Sequence, residues 1–144
     1  MDDLEERFSN ALHGTARSWR QAVDRRLKYL GFSQASWMTM AIAARAPSPL
    51  SQSELADHLG VEGATMVAMI DRLVKAGLVV REPSTADRRI KRVVVTTEGY
   101  RLVDRVKTEA AAVRKELLAK IDPKGIEAAT VLLEALQSMI ENVR

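Results

Sequence analysis

The 144-residue chain contains no cysteine and only two histidines, His13 and His58. The absence of cysteine excludes disulfide bonds, a thiol redox sensor and a cysteine-ligated zinc site. Because the two histidines have no carboxylates at ligand spacing, we expect no metal site. The sequence also has no phosphate-cradling glycine loop and no nucleophile motif, so we expect neither a catalytic cofactor nor an enzyme.

Long apolar runs are absent as well. No stretch approaches the roughly 18 apolar residues that a membrane span needs. The acidic start, Met-Asp-Asp-Leu-Glu-Glu, lacks the apolar segment of a signal peptide. Apolar residues nevertheless make up 47% of the chain, which is enough for a folded core. We therefore expect a soluble cytoplasmic protein with no membrane partner.

The apolar pattern predicts mainly helices. Steps of three and four between apolar residues indicate six amphipathic helices, whose ends are marked by capping residues, prolines and glycines. Two short β-branched stretches, 78–82 and 90–95, are joined by a turn-rich connector and predict a hairpin. The predicted helices cover residues 4–30, 33–45, 51–59, 63–76, 96–120 and 122–143.

The third and fourth helices, followed by the hairpin, have the order of a winged helix-turn-helix. The third helix begins at Ser51, Gln52 and Ser53 with a capping box and ends at Gly60. A helix fits the major groove of DNA, where its outward side chains can contact base edges. The residues predicted to face outward on the fourth helix are Gly63, Ala64, Thr65, Ala68, Met69, Arg72 and Lys75; Met66, Val67, Ile70, Leu73 and Val74 are predicted to be buried.

The hairpin is strongly basic, although the chain as a whole has a net charge of only +3. Residues 81–92 hold five basic side chains and two acidic ones. Arginine at the tip of such a hairpin can enter the minor groove, whose narrow stretches attract positive charge. A basic loop can also be merely solvated. The predicted wing contacts are Ser84, Asp87, Arg88, Arg89 and Lys91, with the aspartate orienting an arginine.

The last predicted helix is apolar around much of its circumference. Its main stripe repeats at alternating steps of three and four, which is typical of a coiled-coil seam. A terminal helix with so much apolar surface needs a partner on more than one side. The stripe consists of Ile126, Ala129, Leu133, Leu136, Ile140 and Val143.

The chain resembles the MarR family of transcription regulators, and within it the SlyA-like branch. The resemblance implies a single MarR-type domain over residues 1–144, with a DNA-binding lobe at 33–96 and a helical dimerisation lobe from 1–32 and 97–144. The chain departs from the SlyA-like pattern at two positions. Ala68 stands where arginine is usual, and Glu62 stands where many members have serine or threonine. The matching segments are Ser18-Trp19-Arg20, Gln34-Ala35-Ser36-Trp37, Gln52-Ser53-Glu54-Leu55-Ala56, Asp71-Arg72-Leu73, Gly77-Leu78-Val79 and Asp87-Arg88-Arg89-Ile90-Lys91-Arg92.

The resemblance also implies a homodimer, a wing arginine in the minor groove and, in many members, a pocket for small aromatic acids. Tryptophan on a helical stripe is most often part of the core. The alternative places His13, Arg17, Trp19 and Trp37 around such a pocket, where the rings stack on the ligand and Arg17 pairs with its carboxylate.

The sequence therefore predicts a dimeric, sequence-specific regulator that binds a pseudo-palindromic operator in double-stranded DNA, as a repressor or an anti-silencer. Two alternatives remain. One is a nonspecific architectural DNA-binding protein, which needs only phosphate contacts. The other is a winged-helix adaptor for proteins, which would carry an uncharged wing.

Overall fold

The computed structural model describes residues 3–143; Met1, Asp2 and Arg144, at the ends of the predicted domain, lie outside them. The chain divides into two compact units, Met1–Ala111 and Ala112–Arg144. The grouping of both terminal segments into one dimerisation lobe stays a prediction. The helices are α1 (Leu4–Leu27), α2 (Gln34–Arg45), α3 (Gln52–Leu59), α4 (Gly63–Lys75), α5 (Thr97–Leu118) and α6 (Pro123–Asn142), and the strands are β1 (Leu50–Ser51), β2 (Val79–Pro83) and β3 (Lys91–Val95).

The predicted fold class is confirmed: the chain is mostly helical and carries one small antiparallel sheet. The helix ends follow the capping residues. Asp122 accepts a hydrogen bond from the backbone N–H of Lys124 and precedes Pro123 in the first turn of α6. The hydroxyl of Ser33 accepts from the backbone N–H of Ser36 at the start of α2. The first helix ends earlier than predicted, and residues 28–30 continue it as a short 3₁₀ turn.

The sheet has three strands rather than the two of the predicted hairpin. β1 pairs with β3, which also pairs with β2, so β3 is central. The sequence prediction missed β1 because its two residues, Leu50 and the helix cap Ser51, follow Pro49 directly and are too few to show an alternating pattern. Ser51 thus both pairs with Arg92 in the sheet and caps α3.

The core of the first unit lies between α2, α3, α4 and the inner face of the sheet. Leu55 of α3, Met66 and Ile70 of α4, and Val79 and Val93 of the sheet are fully buried. Burying such aliphatic side chains contributes roughly 1.5–3 kcal/mol each. The core therefore attaches the hairpin to the helix-turn-helix and leaves the far end of the hairpin free to project.

The start of α5 lies close against the sheet. The Thr96 hydroxyl accepts the backbone N–H of Gly99 at 3.0 Å, so Thr96 caps α5 where the predicted fifth helix begins. Gly99 leaves no room for a side chain, because a Cβ there would overlap the Leu78 carbonyl oxygen and lie 2.7 Å from Cγ1 of Val95. Glycine is therefore required for this close approach.

We predict that Gly99→Ala lowers the free energy of unfolding by about 2 kcal/mol, since overpacking against backbone typically costs about 1–3 kcal/mol. Gly63→Ala is the matched control, because a Cβ at Gly63 meets open space. Urea unfolding followed by circular dichroism measures both variants. Equal stability of Gly99→Ala and the wild-type chain would contradict the close contact.

Candidate nucleic-acid interface

The helix-turn-helix is built from α3, a three-residue turn and α4. The predicted capping box is present: the Ser51 hydroxyl accepts the Glu54 backbone N–H at 3.1 Å, and the Glu54 carboxylate accepts the Ser51 backbone N–H at 3.4 Å. Gly60 ends α3 with φ of 69°, a left-handed conformation that glycine adopts without strain. Only Gly60, Val61 and Glu62 separate the two helices, so their crossing geometry is tightly fixed.

The residues predicted to begin the helix-turn-helix contribute differently. Ser51 is buried, and its hydroxyl is occupied by the cap. The side-chain oxygen of Gln52 accepts a hydrogen bond from Arg81 of β2 at 2.6 Å. Ser53 is exposed on the first turn of α3. Of the three, Ser53 alone presents its side chain freely to a ligand.

Helix α4 presents a continuous outer face of small and basic side chains. Glu62 is the N-cap of α4, but its side chain accepts no hydrogen bond from the first turn. The positive end of the helix dipole is therefore left without a side-chain capping bond. Small side chains permit close approach of another molecule, while the long basic ones can reach beyond them. Six of the seven positions predicted to face outward are exposed, together with Val67 and Asp71; the six are Gly63, Ala64, Thr65, Ala68, Arg72 and Lys75.

The seventh position, Met69, was predicted wrongly. Met69 is buried, with 3% of its surface exposed, and its sulfur lies 2.9 Å from the donating Thr39 hydroxyl of α2. Val67, which was predicted to be buried, is 41% exposed. The buried face is rotated toward Met69 because α2 packs on that side, and the sequence of α4 alone does not reveal where α2 lies. Met69 is therefore a core residue.

The hairpin connector forms a compact loop at the end of the sheet. Pro83 pairs with Lys91 as the last rung of the ladder, and the Ser84 backbone N–H donates to the Ile90 carbonyl at 2.8 Å. The Ser84 hydroxyl accepts the Ala86 backbone N–H, so Ser84 shapes the loop from within. The side chains of Arg88 and Lys91 are exposed on its outside.

Asp87 and Arg89 form a two-pronged ion pair at the loop tip. The Nε and one terminal nitrogen of Arg89 donate to the two Asp87 carboxylate oxygens, each at 3.1 Å, and the Arg89 backbone N–H donates to the same carboxylate at 3.0 Å. The Arg89 side chain is 91% exposed. These bonds from Arg89 lower the pKa of Asp87 below its ordinary value of 3.8. The tip therefore presents an arginine that is both exposed and oriented.

Arg81 was not among the predicted site residues, but it joins three parts of this region. In addition to Gln52, its guanidinium donates to the Val67 carbonyl oxygen at 3.3 Å and pairs with the Asp71 carboxylate at 2.6 Å. Val67 and Asp71 lie one turn apart on α4. The sequence gives no local signal for this junction, because its members are 10 to 29 positions from Arg81 and only the fold brings them together.

The four residues predicted for an effector pocket lie on α1 and α2. His13 and Arg17 are exposed on α1, and Trp19 and Trp37 are half-buried. No hydrogen bond or ion pair joins any two of them within residues 3–143. The Trp37 indole nitrogen is buried and donates to no acceptor in this part of the chain. A buried unpaired donor of this kind costs about 1–3 kcal/mol.

Neither a metal centre nor a membrane span is found in the described part of the chain. Residues 3–143 contain no cluster of three or more metal-ligating side chains. None of the helices within them is long and apolar enough to cross a bilayer.

Comparison with known proteins finds one family. The MarR family model matches residues 32–91, which contain α2, α3, α4, β2 and the hairpin loop up to the first residue of β3. Transcriptional regulator PA3341 is 37% identical, with a TM-score of 0.80 over 94% of this chain and 98% of its own. CouR from Rhodococcus jostii RHA1, bound to p-coumaroyl-CoA, is 24% identical with a TM-score of 0.76 over 94% and 95%. S. aureus MepR in a DNA complex is 20% identical with a TM-score of 0.74 over 92% and 97%.

We predict that the Asp87 carboxyl titrates with a midpoint below 3.8 and that Arg89→Ala returns the midpoint toward that value. Because the pKa is lowered, the ion pair is fully formed above pH 3.8 and is lost only as the pH falls through the lowered pKa. Carbon-detected NMR of the carboxyl group measures both midpoints, and Arg88→Ala serves as the control. An unchanged midpoint in Arg89→Ala would contradict the pair.

Proposed function

We propose, from the premise that this chain belongs to the MarR family of DNA-binding transcriptional regulators, that it acts as a homodimer on a pseudo-palindromic operator. Members of this family are regulators and not enzymes. In our proposal α4 enters the major groove, the wing (residues 79–95) contacts the adjacent minor groove, and a small aromatic carboxylate releases the protein from DNA.

One observation carries the proposal: the exposed face of α4 and an oriented, exposed arginine belong to the same compact unit. The small residues Ala64 and Ala68 allow the helix to come close to base edges, and Thr65 can bond to a base or a phosphate. Arg72 and Lys75 can reach phosphates. With Arg89 held by Asp87, the wing has less side-chain freedom to lose on binding.

The alternatives fit these features less well. A protein-binding adaptor would have no use for a wing that exposes Arg88, Arg89 and Lys91. A nonspecific architectural protein needs phosphate contacts alone, whereas α4 offers small side chains that suit approach to bases. Binding to one operator and to random DNA at a fixed salt concentration separates the specific regulator from the architectural protein.

We predict that Arg89→Ala weakens operator binding by about 1–3 kcal/mol, roughly 5- to 150-fold, and leaves folding intact because the side chain is exposed. Footprinting on the DNA that flanks the protein's own gene finds the operator, and titration at moderate salt measures the affinity. Arg88→Ala removes the same charge from the same loop without breaking the Asp87 pair, and we expect a smaller loss. Wild-type affinity of Arg89→Ala would remove the wing from the proposed interface.

The proposed dimer rests on the unburied apolar surface of α6. None of the residues 123–142 is buried in the single chain. Water contact with so large an apolar patch is unfavourable, and patches of this kind mark interfaces. We propose that α6, with the other helices of the predicted dimerisation lobe, pairs with a second copy. The exposed large apolar residues near the C-terminus are Val131, Leu132, Leu133, Met139, Ile140 and Val143.

We predict that Ile140→Asp shifts the protein from dimer toward monomer, because a carboxylate in an apolar interface must be desolvated. Ser138→Asp adds the same charge at an exposed position on the side of α6 opposite Ile140 and should leave the dimer intact. Sedimentation velocity over a range of concentrations measures both variants. Truncation before Ile126 should yield an insoluble or unfolded chain, and a well-folded monomer that still binds DNA after this cut would refute the dimer.

The proposed effector site lies near Trp19 and Trp37. The unpaired Trp37 indole N–H supports an acceptor at this place, and Arg17 and His13 on α1 offer positive or polar partners for a carboxylate. The similar protein CouR, which was solved with p-coumaroyl-CoA, indicates that this fold can accommodate an aromatic acid derivative. A ligand changes DNA binding only if it binds two conformations of the dimer with different affinity.

We predict that salicylate quenches the tryptophan fluorescence and weakens operator binding. Because coupling is reciprocal, saturating operator must weaken salicylate binding by the same factor. Trp37→Phe removes the indole N–H and keeps an aromatic ring, so salicylate should bind it less tightly than wild type. Quenching that is unaffected by DNA would indicate a site without regulatory effect, and no quenching by any aromatic acid would mean that both rings are core residues.

We further propose that the chain falls in the SlyA-like branch and acts as a repressor or an anti-silencer. The support is the stretch from Asp87 to Arg92 at its distance after Asp71-Arg72-Leu73. Expression of a reporter gene placed behind the operator, measured with and without a silencing DNA-binding protein, distinguishes a repressor from an anti-silencer.

A further inference from the structure

Apart from the backbone pairing of β3 with β1, the hairpin is attached to α3 and α4 by few polar bonds, and the side-chain bonds are concentrated at Arg81. Within residues 3–143, no side-chain hydrogen bond or ion pair joins residues 82–92 to α3 or α4. Arg81 pairs with Val93 in the middle of the ladder, and the ladder ends two residues later at Pro83. Arg81 is therefore the outermost side-chain attachment between the wing and the helix-turn-helix, and it lies on β2, whereas β1 pairs only with β3.

The attachment reaches both helices at once. Arg81 Nε donates to Gln52 in the first turn of α3, and a terminal nitrogen bonds to the Val67 carbonyl and the Asp71 carboxylate of α4. A planar guanidinium presents its donors in a fixed fork, so several simultaneous bonds define its position. The Arg81 side chain is 26% exposed, hence the bonds are partly shielded from water.

We propose that Arg81 is a positioning residue that fixes the wing relative to α4, so that Arg89 and the face of α4 reach their two grooves together. This inference rests on the proposed function. Without the three bonds, the wing is held only by the pairing of β3 with β1 and by its buried residues, so β2 and the loop move more freely. Binding must then restrict that motion, which costs affinity for the operator but not for phosphates in general.

The junction has a second effect that the test must separate. Asp71 is mostly exposed on α4, next to the proposed DNA-facing side, and Arg81 neutralises it. Removing Arg81 alone would therefore also leave a carboxylate that repels phosphate. Asp71→Asn removes the charge and retains a side-chain oxygen that Arg81 can contact.

The first test is a double-mutant cycle on operator DNA with the full-length chain. We expect Arg81→Met to weaken operator binding about tenfold and to reduce the effect of Arg89→Ala to less than half its wild-type factor, because in a mobile wing Arg89 is no longer held where it contacts the groove. We expect the Arg81→Met/Asp71→Asn double variant to remain impaired. Recovery of wild-type affinity in that variant would show a charge effect alone and would overturn the proposal, as would an unchanged effect of Arg89→Ala.

The second test needs no DNA. The chain has no cysteine, so spin labels can be placed at Thr85→Cys in the loop and Asp57→Cys on α3, both exposed positions. Labelled chains diluted into excess unlabelled protein give one labelled copy per dimer. We expect a narrow distance distribution for wild type, a broader one for Arg81→Met and an intermediate one for Arg81→Lys, which forms fewer of the bonds. Equal widths would refute positioning by Arg81.

The two tests distinguish an error in the proposed function from an error in the proposed role of Arg81. If wild-type protein prefers no operator over random DNA, the proposed function is wrong, whatever the label distances are. If the wild-type protein does prefer an operator, and the distance distributions of wild type and Arg81→Met are equally wide, the proposed function is retained and the proposed role of Arg81 is refuted. Should Arg81→Met fail to fold in circular dichroism, Arg81→Lys and Gln52→Ala replace it in both tests.

Discussion

The fold depends on a single backbone junction at Gly77 and Leu78. The Leu78 N–H donates to the Leu73 carbonyl at the end of α4, and the Leu78 carbonyl accepts the Thr96 N–H at the end of β3, both at 3.0 Å. The Thr96 hydroxyl also donates to the Gly77 carbonyl at 2.7 Å. These bonds place the end of α4, the base of the hairpin and the start of α5 at one point. Gly99 is required because α5 begins against this same carbonyl.

Much of this architecture could be predicted because its signals are local. The capping box at Ser51, the Asp122-Pro123 start of α6 and the glycine after α3 each determine a helix end through bonds within a few residues. These features were sufficient to place the helices to within a few residues and to recognise the winged helix-turn-helix.

The features that could not be predicted depend on contacts between distant segments. Met69 is buried against α2, where it contacts Thr39, thirty positions earlier. Strand β1 exists because the partner β3 is present, not because Leu50 and Ser51 show a pattern of their own. The Arg81 junction joins residues from three elements. In each case the sequence shows the residue, and tertiary packing decides its role.

The ion pair between Asp87 and Arg89 bears on how such a protein would search a genome. At a distance the carboxylate cancels much of the arginine's charge, so the pair attracts random phosphates less than a free guanidinium would. Nonspecific encounters are then shorter, and a molecule spends less time on each wrong segment of DNA. At a site that fits, the arginine is already exposed and held by Asp87, and its remaining donors gain a second set of acceptors. Asp87, an acidic residue in the middle of a basic loop, thus favours discrimination between DNA sites over tight nonspecific binding.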